Sequence, residues 1–144
     1  MPEQNFSNHR QFVPAFHYVL SPILLLTWIG AIVNLYHSFG NHDRLYSASL
    51  ILVLTMSVIV LMFLARIFAL KAQDRAIRAE ENLRHFALTG KLLDARLTIR
   101  QVVALRFASD AEFPELARRA AAGAMAPDDI KKAVANWRAD TYRV

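Results

Sequence analysis

The chain has 144 residues, 55% of them hydrophobic, a net charge of +5 and no cysteine. The missing cysteine excludes disulfides, thiolate nucleophiles and Cys-ligated zinc or iron–sulfur centres. Residues 11–42 and 45–65 carry no formal charge, while 66–144 hold 15 Lys+Arg against 10 Asp+Glu. About 20 uncharged apolar residues cross a bilayer core as one helix. The pattern therefore predicts two transmembrane spans and leaves 79 residues for water, too few for a large catalytic core.

In chain order, residues 1–13 form a polar N-terminal segment with Phe6 and Phe12 interspersed. Without a basic n-region or a small-residue cleavage site, the first apolar stretch is expected not to be a cleavable signal peptide. A transmembrane hairpin is predicted over 14–70, with spans at about 14–39 and 45–67. Proline suits a first helical turn, so the first helix is expected from Pro14. Pro22 has two readings. It kinks one long helix, or Ser21-Pro22 supplies the N-cap and first position of a shorter span. Phe12, Phe16 and Tyr18 near one end, with Tyr36, Phe39 and Tyr46 near the other, form two interfacial aromatic belts. Trp28, mid-span, is expected to be packing bulk. Arg66, Lys71, Arg75, Arg78 and Arg84 follow the second span, whereas the turn has only Arg44. The positive-inside rule places both termini in the cytoplasm.

The second helix is predicted to continue past the membrane as a cytosolic stem, 71–89, since no Gly or Pro interrupts 65–88 and Gly90 is a natural stop. Asp74/Arg78 and Glu80/Arg84 have ion-pair spacing on it. Residues 90–144 are predicted to form a small three-helix tail. Thr98…Gln101 and Ser109…Glu112 are capping boxes that open the first two helices, to about Phe107 and to just before Gly123. Pro127-Asp128-Asp129 opens the third, to about Trp137. Val102, Val103, Leu105, Phe107, Phe113, Leu116, Ala120, Ile130, Ala133, Val134 and Trp137 are the expected core. The fold class is thus all-α.

Several residues stand out as candidates. Ala65, Ala69, Ala72, Ala76, Ala79, Leu83 and Phe86 follow a heptad spacing, a small-residue seam suited to close helix packing. Its expected occupant is a second copy, a partner subunit or the chain's own N-terminal segment. Thr27, Gly30, Ala31 and Asn34 form a softer face on the first span. The Asn34 amide is expected to bond across to Ser47, Ser49, Thr55 or Ser57, since leaving it unpaired in lipid is costly. Arg66 is expected to snorkel to lipid phosphates, with Lys71 and Arg75 as further headgroup contacts. No cofactor is expected, the rival reading being haem or pigment ligation by His17 or His37. The spacing of the histidines and carboxylates matches no zinc motif. A nucleic-acid- or ribosome-binding tail is the other rival. Against it, Phe107, Phe113 and Trp137 fall at core spacing, not as a stacking platform.

Three segments carry a resemblance. Gln4-Asn5, Asn8-His9, Pro14, His17 and Pro22 stand near the start. Ala104 to Asp110 (ALRFASD) lies in the tail. Ile130-Lys131-Lys132-Ala133, Trp137-Arg138 and Arg143-Val144 close the chain. Together they resemble an uncharacterised bacterial family of short two-span membrane proteins, a domain of unknown function. The resemblance implies a two-span hairpin with a cytosolic helical tail and assigns no activity. The expected location is a bacterial inner membrane. The expected function is that of a non-enzymatic accessory or scaffold subunit. Its partners would be membrane lipids and a protein or a second copy.

Overall fold

The computed structural model describes residues 4–9 and 11–140. Five α-helices and one π-helical segment make up its regular structure, and the described residues form no strand, only an isolated antiparallel bridge between Ala108 and Trp137. The chain divides into two compact units, Phe12–Ala69 and Met1–Gln11 with Leu70–Val144.

In the first unit a π-helical segment, Ala15–Leu20, leads directly into α1, Ser21–His37. Leu20 and Ser21 both have helical dihedrals, so Ser21 is no N-cap and the helix runs on through Pro22. The widened turn follows from the proline, which lacks an N–H and crowds the carbonyl four residues back. Ser21 instead donates both its N–H and its hydroxyl to the Phe16 carbonyl, the hydroxyl at 2.7 Å. After a turn in which Gly40 takes φ +91°, α2 spans His42–Thr89, 48 residues. It starts three residues before the expected Leu45, because the Asn41 side chain accepts the Arg44 N–H at 3.1 Å and caps it.

Inward-facing positions recur every three or four residues at Leu24, Trp28, Ala31, Leu35 and Ser38, and at Leu45, Ala48, Leu52, Thr55, Ile59, Met62 and Arg66. Ala48, Ala31 and Ser38 are the most buried of them. The other positions are exposed and mostly apolar, with Leu26, Leu54 and Phe68 each more than 60% accessible. By length and composition Ala15–His37 and His42–Thr89 are both sufficient to cross a membrane. Trp28 is half-buried, as packing bulk would be.

The second unit contains α3 (Ile99–Leu105), α4 (Phe113–Ala122), α5 (Pro127–Ala133) and the last part of α2. Gly90, at φ +72°, ends α2. The Thr98/Gln101 capping box forms in both directions, and the buried Gln101 side chain also donates to the Met125 carbonyl at 2.8 Å. The second expected box does not open a helix. Ser109 to Glu112 is a turn, and α4 begins at Phe113 with Pro114 in its first turn. Nor does α5 reach Trp137. Val134 turns extended, and 136–138 pair instead with 107–109, Arg138 N–H donating to Phe107 O at 2.7 Å and Ser109 N–H to Asn136 O at 3.1 Å. The core contains most of the expected residues, and adds Leu97, Ala104, Ala108, Ala117 and Ala121. Val103 is half-buried, and Ala133 and Trp137 pack at the margin.

Candidate functional site

Residues 70–89 of α2 present two unlike faces. One is turned into its unit through Ile77 and Glu81, both under 10% accessible, with Gln73, Asp74, Asn82, Arg84 and His85 half-buried. Arg84 is the hub. Its guanidinium donates to Glu81 Oε2 at 2.9 Å, to Asp110 Oδ1 at 2.7 Å and to the Ala108 carbonyl at 2.7 Å, and lies 4.4 Å from the Phe113 ring centroid. Every branch of the fork thus has an acceptor, the arrangement that makes a buried guanidinium tolerable. Arg138 stands 3.7 Å from the other Glu81 oxygen. The pairing departs from expectation: Arg84 turns to Glu81 and Asp110, not to Glu80, and no ion pair joins Asp74 to Arg78 among the described residues. The His85 ring meets Phe113 edge-on at 5.8 Å, and Asn82 accepts the Leu93 N–H at 3.0 Å. These contacts fix the helix to the small core.

The opposite face holds Ala72, Ala76, Ala79, Leu83 and Phe86, all exposed, Leu83 by 68% and Phe86 by 51%. The two remaining seam residues, Ala65 and Ala69, belong to the other unit and are exposed there. Among the described residues, the N-terminal arm leaves the stem part of this seam uncovered. It rests on the tail. Asp140 N–H donates to Gln4 Oε1 at 2.8 Å, and the His9 ring lies 5.9 Å from both Phe107 and Trp137. An Asn5–Asn8 turn positions it, with Asn5 N–H donating to Asn8 Oδ1 at 2.6 Å. Paired Asx residues three apart were the available sign of a folded arm. Of the three expected occupants, a second copy and a partner subunit remain.

Glu112 is a second polar node. Its carboxylate accepts the N–H groups of Ser109, Ala135 and Asn136, each at 3.0–3.1 Å. Partial burial pushes its pKa up, but the three backbone donors outweigh that and hold it below the ordinary value. Sequence spacing revealed only the Ser109 contact, since the other two come from more than 20 residues away. Buried Arg106 closes the tail through an ion pair with Asp140 at 2.9 Å and a ring contact with Phe107.

In the other unit, Ala31 is buried but Thr27, Gly30 and Asn34 are exposed. The expected Asn34 bond across the helix pair is absent among the described residues. Ser47, Ser49, Thr55 and Ser57 each donate back to a carbonyl of their own helix, the usual outcome for hydroxyls lacking a closer acceptor. Asn34 instead lines an open cleft of about 550 Å³ with His37, Asp43 and Arg44. His17 and His37 do not converge on one ligand position. His17 Nδ1 is engaged with the Val13 backbone at 3.0–3.1 Å among the Phe12 and Phe16 rings, and His37 is exposed beside Tyr36. Arg66 is half-buried with its guanidinium 5.3 Å from the Phe16 ring centroid, whereas Lys71 and Arg75 are exposed. No cluster of His and carboxylate side chains suited to a metal occurs among the described residues.

The chain belongs to a family of unknown function, DUF6526, whose model matches residues 1–144. No curated protein and no solved structure matches it significantly.

Proposed function

We propose, for a chain whose family carries no assigned activity, that it is a non-enzymatic accessory or scaffold subunit of a bacterial inner-membrane assembly. It would be held by two spans with both ends cytoplasmic, and dock through the exposed face of the stem. The observation that carries this reading is the paired helices of the first unit, whose outward positions are mostly large apolar side chains, with Thr27, Asn34 and Ser57 as isolated polar exceptions. In water such a surface is an aggregation liability, and in hydrocarbon it is the expected exterior. The arm contacts lend support. Residues before the first span and after the second lie in one compact unit, as an even number of crossings requires.

The stem adds the docking element. Arg84 and Glu81 hold one side of it to its own unit, which leaves the small-residue face with Leu83 and Phe86 for another helix. A photocrosslinking residue at Ala79, compared with one at exposed Arg118 on α4, tests this in cells. The expected result is a discrete adduct from Ala79 and none from Arg118. Equal, diffuse labelling from both would remove the docking role.

A further inference from the structure

We infer that the groove between the π-helical segment and α2 binds an anionic phospholipid, with one acyl chain in the groove and the phosphate on Arg66. The inference deepens the membrane reading above and rests on it.

The groove encloses about 320 Å³ and is lined by Leu20, Leu24, Val58, Leu61 and Met62, with Phe16 and Arg66 also on its wall. Its origin is local. The π-helical segment is wider than an α-helical one, and Ala65 on the facing helix is small. The lining is almost wholly apolar, so it suits a hydrocarbon chain and offers a soluble ion nothing beyond the one cation.

Arg66 supplies the headgroup chemistry. A guanidinium at the edge of an apolar span is costly without a counter-charge. The Phe16 ring beside it provides no acceptor oxygen for its N–H donors. The one carboxylate of this unit is Asp43, 23 residues earlier on the same helix, about 35 Å away at ~1.5 Å per residue. Asp74, next along the helix, is about 12 Å away by the same measure. Among the described residues no ion pair reaches Arg66. A phosphate diester fits its planar fork in a bidentate way, and in phosphatidylglycerol that charge is unopposed, whereas in phosphatidylcholine the headgroup's own ammonium offsets it.

The test is native mass spectrometry of the full chain released from micelles doped with palmitoyl-oleoyl phosphatidylglycerol or with the matching phosphatidylcholine. Wild type is expected to retain phosphatidylglycerol preferentially. Arg66→Gln should cut that retention by roughly tenfold, the scale of one charge-assisted contact, and Arg66→Lys should restore part of it. Val58→Trp, which fills the groove and keeps the cation, should also lose retention. The pair Lys71→Gln with Arg75→Gln should leave it within about twofold, because their attraction for anionic lipid is diffuse. Glycerol phosphate, which has the anion without the chains, should not displace the lipid. Equal retention of the two lipids, or loss only in the Lys71/Arg75 variant, would overturn the site. Carbonate extraction of wild-type membranes separates the two ideas. Release into the supernatant sinks the membrane reading itself, whereas a protein that stays embedded without lipid preference sinks only the groove.

Discussion

Gln4 and Asp140 stand 136 positions apart and are joined by reciprocal hydrogen bonds, Asp140 N–H to Gln4 Oε1 at 2.8 Å and the Gln4 amide to the Asp140 carbonyl at 3.5 Å. The arm and the end of the tail are therefore neighbours. The absence of cysteine makes the consequence easy to test. Single substitutions Ser7→Cys, Ala139→Cys and His42→Cys all fall on exposed positions. A membrane-impermeant maleimide should label the first two from the same side of a sealed vesicle and His42→Cys from the other. Labelling of Ser7→Cys and Ala139→Cys from opposite sides would exclude the two-span topology.

Arg84 is expected to be the most sensitive side chain of the stem. Glu81 and Arg84 have side chains only 6% and 11% accessible. Arg84→Met leaves the buried Glu81 carboxylate with only the longer, largely exposed Arg138 contact at 3.7 Å, and breaking a buried pair in this way typically costs up to about 3–5 kcal/mol. Adding Glu81→Gln removes the stranded charge and should recover part of the loss. Thermal unfolding of the full chain in detergent measures both. A single variant as stable as wild type would show that the hub is ornamental to the fold.

This hub also shows where sequence reading stops. Thr98…Gln101, Gly90 and the charge-free stretches are local signals, and each acts locally in the structure. On the stem, hydrophobicity assigns the charges to water, which holds for Lys71, Arg75, Arg78 and Glu80 but fails for Glu81 and Arg84: Asp110 and Ala108, 26 and 24 residues away, receive the Arg84 fork and draw that side of the helix inward. The end of α5 fails for the same reason. Nothing within Ala135–Trp137 announces that their backbone will pair with 107–109, and the Glu112 carboxylate that receives two of their N–H groups lies 23 and 24 residues upstream. On α1, Asn34 was legible as an anomaly, but its surroundings depended on the rotation of the helix about its axis.

The clamp at Glu112 carries a pH dependence of defined sign. Its pKa is lowered from the ordinary 4.5 in the folded chain. A depressed carboxyl contributes stability that is present above its unfolded value and lost as pH falls through the folded one. The tail should therefore weaken on acidification below about pH 4.5. Glu112→Gln should cost about 1–3 kcal/mol at neutral pH, because charged acceptors for backbone donors are removed, and should flatten the acid limb of the stability curve. Asp94, lowered to about 2 by Arg96 two residues away, lies at the surface, and its local pair should contribute little to that limb. An unchanged acid limb in Glu112→Gln would assign the transition to other groups.

The exposed stem face gives the last prediction. If Ala72, Ala76 and Ala79 receive another helix at close range, a larger side chain forces the two backbones apart, at a cost of ~1–3 kcal/mol per site. Leucine is nearly as good a helix former as alanine, so Ala76→Leu isolates packing from propensity. Chemical crosslinking should show a shift to smaller species, or a co-purifying partner should be lost. The control is Arg78→Leu, also exposed but off the seam, with its lost charge tested separately. A gain of association in Ala76→Leu would mean that the heptad seam is real but loosely packed, since leucine at such positions strengthens an ordinary coiled coil. No change in either direction would mean that the alanine spacing is compositional and that the stem, held to the tail by Arg84, is a solvated spacer on its outer side.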